Sequence, residues 1–276
     1  MLASSCFSKL CGFAWLICIG ASGLEAVFPY SVLPCTSGAA ALTTATFTYD
    51  QYDAIVASVQ ALYNKLNPTC NATFCPQADW TGCVLRMAGH DFMDFRSGVG
   101  GGSDGCVDFS DGDNAGLDVC LYQGTFGVSI ADAYASYCTT VSLADFLVIS
   151  AEAVIGVTRQ NVLATDSTRS ALDLRSQFKY GRTTSTSCSS SNGVLPNPEK
   201  SCSDVQRVFV TNMGLTWAQA AALMGVHSLG KAHKEFSGYD GRWSSAAGAR
   251  KFNYDYVIGM ATGWELVFPK WCWWWR

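Results

Sequence analysis

Two of the three histidines in this chain lie in short segments with helical spacing, and their chemical surroundings differ. His90 follows Arg86 by four residues, so a helix places an imidazole and a guanidinium on one face. His227 lies among apolar and small residues, in a segment suited to pack flat against a large apolar ring. Since three histidines are too few for a multi-histidine metal cage, the pattern predicts a haem between two helices. One histidine would be the iron ligand and the other an acid/base group.

The composition favours a chain with a sizeable buried core. Of its 276 residues, 49% are hydrophobic and only 14% are charged, against roughly 25% charged in average proteins. The net charge of −4 and the lack of a basic cluster argue against a nucleic-acid partner. Strand signals are weak throughout the chain, so we predict a mainly α fold. We expect a monomer.

The first 26 residues have the pattern of a secretory signal peptide. A lone basic residue, Lys9, precedes an apolar run at residues 10–19, and small residues follow that run. The run is too short for a comfortable membrane span, so we expect no membrane association once the signal is removed. These features predict a signal peptide over 1–26, one domain over 27–276, and secretion. A buried N-terminal helix is the alternative.

Thirteen cysteines support export. Removal of the signal peptide takes three of them and leaves ten, an even number suited to disulfides in an oxidising compartment. Cys70 and Cys75 have no second pair at metal spacing, so a zinc site is not expected. Asn71 opens an N-x-T tripeptide, which predicts a glycosylated surface loop. Cys188 and Cys202 are candidates to close the Ser-, Asn- and Pro-rich connection between them, and the other pairings stay open.

Periodicity and capping signals locate the helices. Helical apolar spacing predicts helices over residues 49–66, 130–138 and 143–155, and Pro76 opens another that carries Arg86 and His90. Ser142 with Asp145, and Thr216 with Gln219, predict capping boxes. Residues 97–116 are rich in Gly and Asp and predict a loop.

Five segments occur in a fixed order along the chain. They are LRMAGHDF, GGGSDGCVDF, DNAGLD, VSLADFLVISAEAV and ALMGVHSLGKAH. With them, the chain resembles the plant, fungal and bacterial haem peroxidase superfamily from about Tyr49 to Tyr256. The segment GKAHKEFSGYDGRW is similar to the ascorbate and cytochrome c peroxidases, whereas the distal loop is similar to that of the secreted fungal branch. The resemblance implies haem b between a distal and a proximal helix, hydrogen peroxide as oxidant, and one-electron oxidation of a small organic reductant.

The resemblance also implies roles for the residues that match these motifs. His90 corresponds to the distal acid/base and Arg86 to the distal cation. Asn114 would accept the other ring N–H of His90 and fix its tautomer. His227 corresponds to the axial iron ligand. Trp243 corresponds to a tryptophan that lies beneath the haem and lends an electron.

Further matches concern the haem edge and two cation sites. His233 matches a residue near a haem propionate, although a surface or packing role is the alternative. Asp91, the carbonyl of Gly102 and the carboxylate of Asp104 match ligands of a distal calcium, for which oxygen-rich loops are suited. Ser228 matches a ligand of a proximal cation.

The chain departs from the family pattern at several positions. Gly89 stands where a Trp or Phe usually precedes the distal histidine, which leaves room above the iron for water or a larger reductant. Cys106 replaces a hydroxyl ligand of the distal calcium, so a disulfide there would put the cation in doubt. Phe236 replaces the arginine that contacts ascorbate, and Ala222 replaces a surface tryptophan of the ligninolytic enzymes.

The last departure concerns the C-terminal part. Family members carry a downstream Asp that accepts a hydrogen bond from the proximal imidazole, and no matching segment is present before Arg276. We therefore expect a C-terminally incomplete domain. Two rival hypotheses are a non-catalytic haem- or calcium-binding extracellular protein and a disulfide-held domain without a cofactor. For Trp243 itself, the alternative is that it only fills the core.

Overall fold

The computed structural model describes residues 33, 35–71, 73–122, 124–188, 193–197, 200 and 202–262. Within these ranges the extended backbone pairs only at isolated bridges and forms no sheet. The α-helices are α1 (Tyr49–Lys65), α2 (Pro76–Phe92), α3 (Asp118–Leu121), α4 (Ile130–Tyr134), α5 (Leu143–Leu163), α6 (Cys202–Val205), α7 (Trp217–Met224), α8 (Lys234–Ser237) and α9 (Asp255–Thr262). The 3-10 turns are Gly112–Asn114, Gly225–Ser228 and Gly248–Arg250, and Gln206–Asn212 is π-helical. The predicted mainly α class is confirmed.

The hydrophobic core lies where α5 packs against both α1 and α2. Ile55 and Val59 of α1 are one helical turn apart and fully buried, as are Phe146 and Ile149 of α5. This spacing places each pair on one helix face. Trp80 of α2 completes the contact and is also fully buried. Packing against these large side chains holds α2 in place, and the opposite face of α2 lines a cavity.

The helix limits agree with the sequence except at two ends. The helix predicted over 49–66 is α1, and the helix opened by Pro76 is α2. The helix predicted over 143–155 continues to Leu163, whereas the one predicted over 130–138 ends at Tyr134 and is followed by turns. The predicted loop over 97–116 is irregular apart from the 3-10 turn at its end.

One of the two predicted capping boxes is only half formed. Ser142 accepts a hydrogen bond from the backbone N–H of Asp145, as predicted. The buried Asp145 carboxylate instead accepts a hydrogen bond from the Arg182 guanidinium at 2.8 Å, because a charge-assisted bond is stronger than one to a neutral amide. At α7 the reciprocal box between Thr216 and Gln219 is confirmed.

Helix α5 is also long and apolar enough to cross a membrane, and it is the one described helix that meets this criterion. Half of its most apolar 18-residue window is buried inside the protein. Its contacts with α1 and α2 are those of a core helix.

Disulfides tie the helices to the loops around them. The described pairs are Cys35–Cys138, Cys70–Cys75, Cys83–Cys120 and Cys106–Cys188, and Cys202 is also disulfide-bonded. The predicted Cys188–Cys202 pair is therefore wrong. The Ser185 N–H donates to the Asp104 carbonyl, and this contact brings the chain before Cys188 beside the loop that contains Cys106. Asn71 lies exposed in the small loop that one pair closes, and its glycosylation stays a prediction. The predicted signal peptide and the C-terminal end lie outside the described residues.

The backbones of α2 and of the segment after Gly225–Ser228 come into direct contact. A Cβ atom added to Gly82 would lie 2.8 Å from the Cα of Gly230, and one added to Gly230 would lie 2.8 Å from the Cα of Gly82. Gly230 also has a φ of +78°, in the left-handed region that glycine adopts readily. Both positions therefore require glycine, and their contact sets the spacing between α2 and the segment that carries His227.

We expect Gly82→Ala to destabilise the protein, because the added methyl group has no room between the two backbones. Overpacking of this kind costs roughly 1–3 kcal/mol. Gly156→Ala in α5 is the matched control, since a Cβ there would meet nothing within 4 Å. The control should gain about 0.5–1 kcal/mol from helix propensity. Urea unfolding followed by circular dichroism measures both changes, and equal stability of the two variants would contradict the close contact.

Candidate active site

A cavity of about 1530 Å³ lies between α2 and the segment that follows α7. Arg86 and His90 line it from α2, and His227 and Trp243 line it from the later part of the chain. Its volume exceeds that of most small-ligand pockets, about 300–1,000 Å³. The two histidines singled out in the sequence therefore share one cavity that is large enough for a flat macrocycle.

His90 is held by one side-chain hydrogen bond. Its Nδ1 lies 2.8 Å from the Oδ1 of Asn114. The Asn114 amide nitrogen donates to the carbonyl of Asp108 at 2.8 Å, and this bond turns the amide oxygen towards His90. Because that oxygen can only accept, the hydrogen of a neutral His90 lies on Nδ1. The other ring nitrogen, Nε2, then has a free lone pair.

Arg86 forms hydrogen bonds with the same loop as His90. Its Nη1 donates to the carbonyl of Ala115 and its Nη2 to the carbonyl of Asp113, both at 2.8 Å. Burial lowers the pKa of Arg86 to about 10, while the nearby Asp113 opposes that shift. The guanidinium therefore stays charged at neutral pH. Residues 113–115 thus position both polar side chains of this helix face.

Burial and charge keep His90 neutral. Burial is the main cause that lowers its pKa to about 3, and the positive charge of Arg86 lowers it further. The hydrogen bond that His90 donates to Asn114 acts in the opposite direction and is weaker. At neutral pH the site therefore combines an uncharged imidazole, which can accept a proton, with a fixed positive charge.

The second histidine is held by a main-chain contact. The Nδ1 of His227 lies 2.9 Å from the carbonyl oxygen of Met224, which can only accept, so Nδ1 carries the hydrogen. Burial lowers the pKa of His227, so this ring is also neutral. The Nε2 lone pair is then the one available to a metal. Trp243 meets the ring edge-on, with the ring centres 5.0 Å apart.

Sequence reasoning missed Tyr256. Its ring stacks on His227 with the ring centres 5.2 Å apart, and it lines the cavity. Burial raises its pKa to about 12, so it is a neutral phenol. An isolated tyrosine with no motif around it gives no spacing signal, so only the three-dimensional contact reveals it. Together with Trp243 it encloses the imidazole on two sides.

The structure places His233 and Ser228 at the edges of this site. His233 lines the cavity and lies 6.2 Å from the Phe236 ring, measured between ring centres. Ser228 is buried, and its hydroxyl donates to the carbonyl of Asn253 at 2.9 Å. The carbonyl of Ser228 accepts from the Ser244 hydroxyl. Both oxygen atoms of Ser228 are thus engaged within the protein.

Two of the three predicted distal cation residues, Asp91 and Asp104, lie together in the structure. The carboxylate of Asp91 is buried and accepts hydrogen bonds from the backbone N–H groups of Asp104, Gly105 and Cys106. Burial, and then the neighbouring Asp104 carboxylate, raise the pKa of Asp91 to about 7. The N–H of Gly102, the third predicted residue, donates to a carboxylate oxygen of Asp94 instead. The two carboxyls therefore share either a proton or a cation.

The disulfide of Cys106 affects which ligands a cation could find beside these two carboxyls. Cys106 is bonded to Cys188, so neither a hydroxyl nor a free thiolate stands at that position. Across the residues that the structure describes, no group of three or more His, Cys, Asp or Glu side chains is arranged for a metal ion. A calcium ion would thus rest on two carboxylates and main-chain oxygens.

A family model described as "Peroxidase" matches residues 55–255. This chain belongs to the peroxidase family. The match starts within α1 and ends at the first residue of α9, so all three histidines that line the cavity lie inside it. The superfamily that the sequence resembles is thereby confirmed.

Curated relatives match parts of the chain. A Candida albicans protein whose name describes a heme-binding peroxidase is 34% identical over 90 residues, 32% of this chain and 30% of that protein. Peroxisomal L-ascorbate peroxidase 5 of Arabidopsis thaliana is 37% identical over 75 residues, 27% of this chain and 26% of the relative. A rice protein (Oryza sativa subsp. japonica) whose name describes a peroxisomal L-ascorbate peroxidase is 26% identical over 185 residues, 65% of this chain and 55% of the relative. The matched stretches thus span 26% to 55% of these relatives' lengths.

We expect acid to destabilise the folded protein partly through His90. The pKa of this side chain is about 3 in the folded protein, against 6.5 for an ordinary histidine. Between these values the unfolded chain binds a proton that folded His90 does not, so stability falls as the pH falls from 6.5. His90→Gln removes the proton site and should make that decline shallower, by up to about 1.4 kcal/mol per pH unit. Urea unfolding of both proteins from about pH 7 to 5 measures the slopes. Parallel slopes would contradict the buried neutral imidazole.

Proposed function

We propose that this protein is a haem peroxidase, which reduces hydrogen peroxide and oxidises a small organic reductant in one-electron steps. The observation that carries the proposal is the placement of a neutral His90 and a charged Arg86 in the cavity that also contains His227. One imidazole is available to a metal and the other to a proton. Family membership and the names of the relatives support the same activity.

The residues around the cavity fit haem b as the cofactor. His227 faces the cavity with Nδ1 engaged by Met224, so Nε2 is the nitrogen that would bind the iron. Apolar side chains on both walls suit the porphyrin faces, among them Ala88 and Val226. His233 would meet a propionate at the cavity edge. Bound haem supplies an iron centre that exchanges electrons with peroxide and reductant.

His90 moves the proton in this proposal. Its neutral imidazole accepts a proton from one oxygen of hydrogen peroxide and returns it to the other oxygen, which departs as water. Asn114 fixes the hydrogen on Nδ1, so the same nitrogen, Nε2, performs both transfers. Arg86 stabilises the negative charge that develops on the departing oxygen while the O–O bond breaks. Its two main-chain hydrogen bonds hold the guanidinium in place.

Trp243 is the residue that we assign to electron donation on the side of His227. Its ring meets the imidazole edge-on at 5.0 Å between ring centres, and it lines the cavity. An electron-rich indole at that distance can be oxidised and then restored by the reductant. The two one-electron steps of the proposal each consume one molecule of reductant.

The aromatic lining of the cavity favours a phenol as the reductant. Phe74 and Phe126 both line the cavity, and their rings stack with centres 6.1 Å apart. Phe236, at the position where ascorbate peroxidases carry an arginine, also lines it and lies directly against Gly116. Flat aromatic rings bind well to such a surface, whereas an anionic sugar acid finds no arginine at that position.

Secretion and the cation sites are also part of the proposal. Structural disulfides are typical of an oxidising compartment, which supports an extracellular location. Calcium at Asp91, Gly102 and Asp104 is supported by the buried carboxylate of Asp91 and the half-buried carboxylate of Asp104 beside it. A proximal cation at Ser228 has only the family resemblance in its favour.

We expect the protein reconstituted with haem to show a Soret band that changes on mixing with hydrogen peroxide, and to oxidise guaiacol. His90→Ala should keep the Soret band and lose activity by about 10²–10⁴-fold, because general acid–base catalysis is removed. His227→Ala should weaken haem binding instead. A bound haem that does not respond to peroxide would favour the non-catalytic alternative and contradict the proposal.

We expect calcium to stabilise the protein, because a cation between Asp91 and Asp104 removes the repulsion of their carboxylates. A ligand present at 100 times its Kd adds about 2.7 kcal/mol, which a thermal melt with and without a calcium chelator detects. Asp104→Asn is the control, since it should abolish the difference. Equal melting temperatures of the unmodified protein with calcium and with chelator would show that the two carboxyls share a proton instead.

A further inference from the structure

The Cys83–Cys120 disulfide meets the cavity at one of its two ends. Cys83 of α2 is half-buried and lines the cavity, whereas Cys120 of α3 is fully buried. Of the cysteines in the four described pairs, Cys83 alone lines this cavity. A small solute in the cavity therefore reaches the disulfide at its Cys83 end.

Arg86 provides a fixed positive charge beside this cysteine. It follows Cys83 by three residues in α2, a spacing that places the Cβ atoms of two side chains about 5–6 Å apart. Both residues line the cavity. The two main-chain hydrogen bonds of Arg86 use two of its five guanidinium N–H groups, so others remain for a ligand. A neighbouring arginine favours the thiolate form of a cysteine, which is the form that reacts as a nucleophile.

After reduction, noncovalent contacts keep the two sulfur atoms close to each other. The Sγ of Cys120 lies 3.3 Å from the carbonyl oxygen of Leu117, and Cys120 belongs to the hydrophobic core that also contains Val84 of α2. The Sγ of Cys83 lies 3.8 Å from the carbonyl oxygens of Gly116 and Leu117. Because this packing holds α2 against α3, a thiol at Cys120 stays within reach of Cys83.

From this geometry we propose that Cys83 and Cys120 give the protein a second activity, the reduction of hydrogen peroxide by small-molecule thiols. Cys83 is the residue that reacts with the peroxide, and Cys120 is the residue that closes the disulfide. Neither step uses haem, so this activity does not depend on the function proposed above. The pair rests as the disulfide that the structure contains, so a thiol is the first reactant to act.

The reaction begins with two thiol molecules, RSH, which reduce the disulfide by thiol–disulfide exchange and leave as RSSR. The Cys83 thiolate then attacks one oxygen of hydrogen peroxide, so that an S–O bond forms, the O–O bond breaks and Cys83 becomes a sulfenic acid. The departing oxygen takes the proton of the Cys83 thiol and leaves as water, while Arg86 stabilises its negative charge. Cys120 attacks the sulfenic sulfur, the S–O bond breaks, and the disulfide re-forms with loss of a second water. The sum is H2O2 + 2 RSH → RSSR + 2 H2O.

The first test measures the consumption of hydrogen peroxide by the haem-free full chain in the presence of dithiothreitol. We expect Cys83→Ser to slow this consumption by about tenfold or more, because the nucleophile is lost. The double variant Cys70→Ala, Cys75→Ala is the matched control, since that disulfide does not line the cavity and closes only a short loop. Its rate should equal that of the unmodified protein.

Trapping of the sulfenic acid distinguishes the roles of the two cysteines. Dimedone, which reacts with sulfenic acids, is added with hydrogen peroxide to the reduced variants, and the adducts are located by peptide mass spectrometry. Cys120→Ser should carry an adduct at Cys83, because no thiol is left to close the disulfide. Cys83→Ser should carry none at Cys120, because that side chain is fully buried. An adduct at Cys120 alone would contradict the assigned roles.

A measurement on the unmodified protein keeps the test valid if the variants do not fold. The protein is reduced with dithiothreitol, freed of it, and mixed with one equivalent of hydrogen peroxide, and its disulfides are mapped over time. We expect Cys83–Cys120 to re-form about tenfold or more faster than Cys35–Cys138, since only the first pair lines the cavity beside Arg86.

Two results overturn this proposal without affecting the haem peroxidase function, which needs no thiol. One is equal consumption of hydrogen peroxide by the unmodified protein and by Cys83→Ser. The other is a Cys83–Cys120 disulfide that re-forms no faster than Cys35–Cys138. Absence of a Soret band after reconstitution with haem would overturn the haem peroxidase function and leave the thiol-dependent activity unaffected.

Discussion

The architecture depends on the contact between two glycine backbones. Gly82 of α2 and Gly230 of the later segment approach so closely that neither position has room for a Cβ atom. One side of this contact is anchored by the core of α1, α2 and α5, and the other side continues from the turn that carries His227. This distance sets the width of the cavity together with other buried contacts between the two sides, such as that of Leu229 with the core that contains α2.

Burial sets the charge states of the two polar side chains on the α2 wall. His90 and Arg86 share a helix face, and the low polarity around them pulls the pKa of each below its ordinary value. The arginine has so high a starting value that it stays charged, whereas the histidine becomes firmly neutral. The same desolvation therefore produces two opposite charge states, and that difference is what an acid/base group beside a charge-stabilising group requires.

Local features were predictable from the sequence, and distant pairings were not. The limits of α1 and the start of α7 follow from apolar spacing and from the Thr216–Gln219 box, which involve neighbouring residues only. The histidine pair was predictable because each segment carries its own motif. The Cys106–Cys188 disulfide joins residues 82 positions apart, and the partner of Asp145 lies 37 positions away. Such contacts depend on how loops cross in space, which helical periodicity does not encode.

The manner in which Arg86 is held has a consequence for sequence variation. Its guanidinium binds the carbonyl oxygens of Asp113 and Ala115, groups that every amino acid possesses. Natural or engineered exchanges at those two positions therefore preserve the anchor, provided that the chain path is unchanged. Asn114 between them has no such freedom, since its amide must accept from His90 and donate to Asp108 at once. In proteins that share this loop, we expect the asparagine to be invariant and the residues on either side of it to vary.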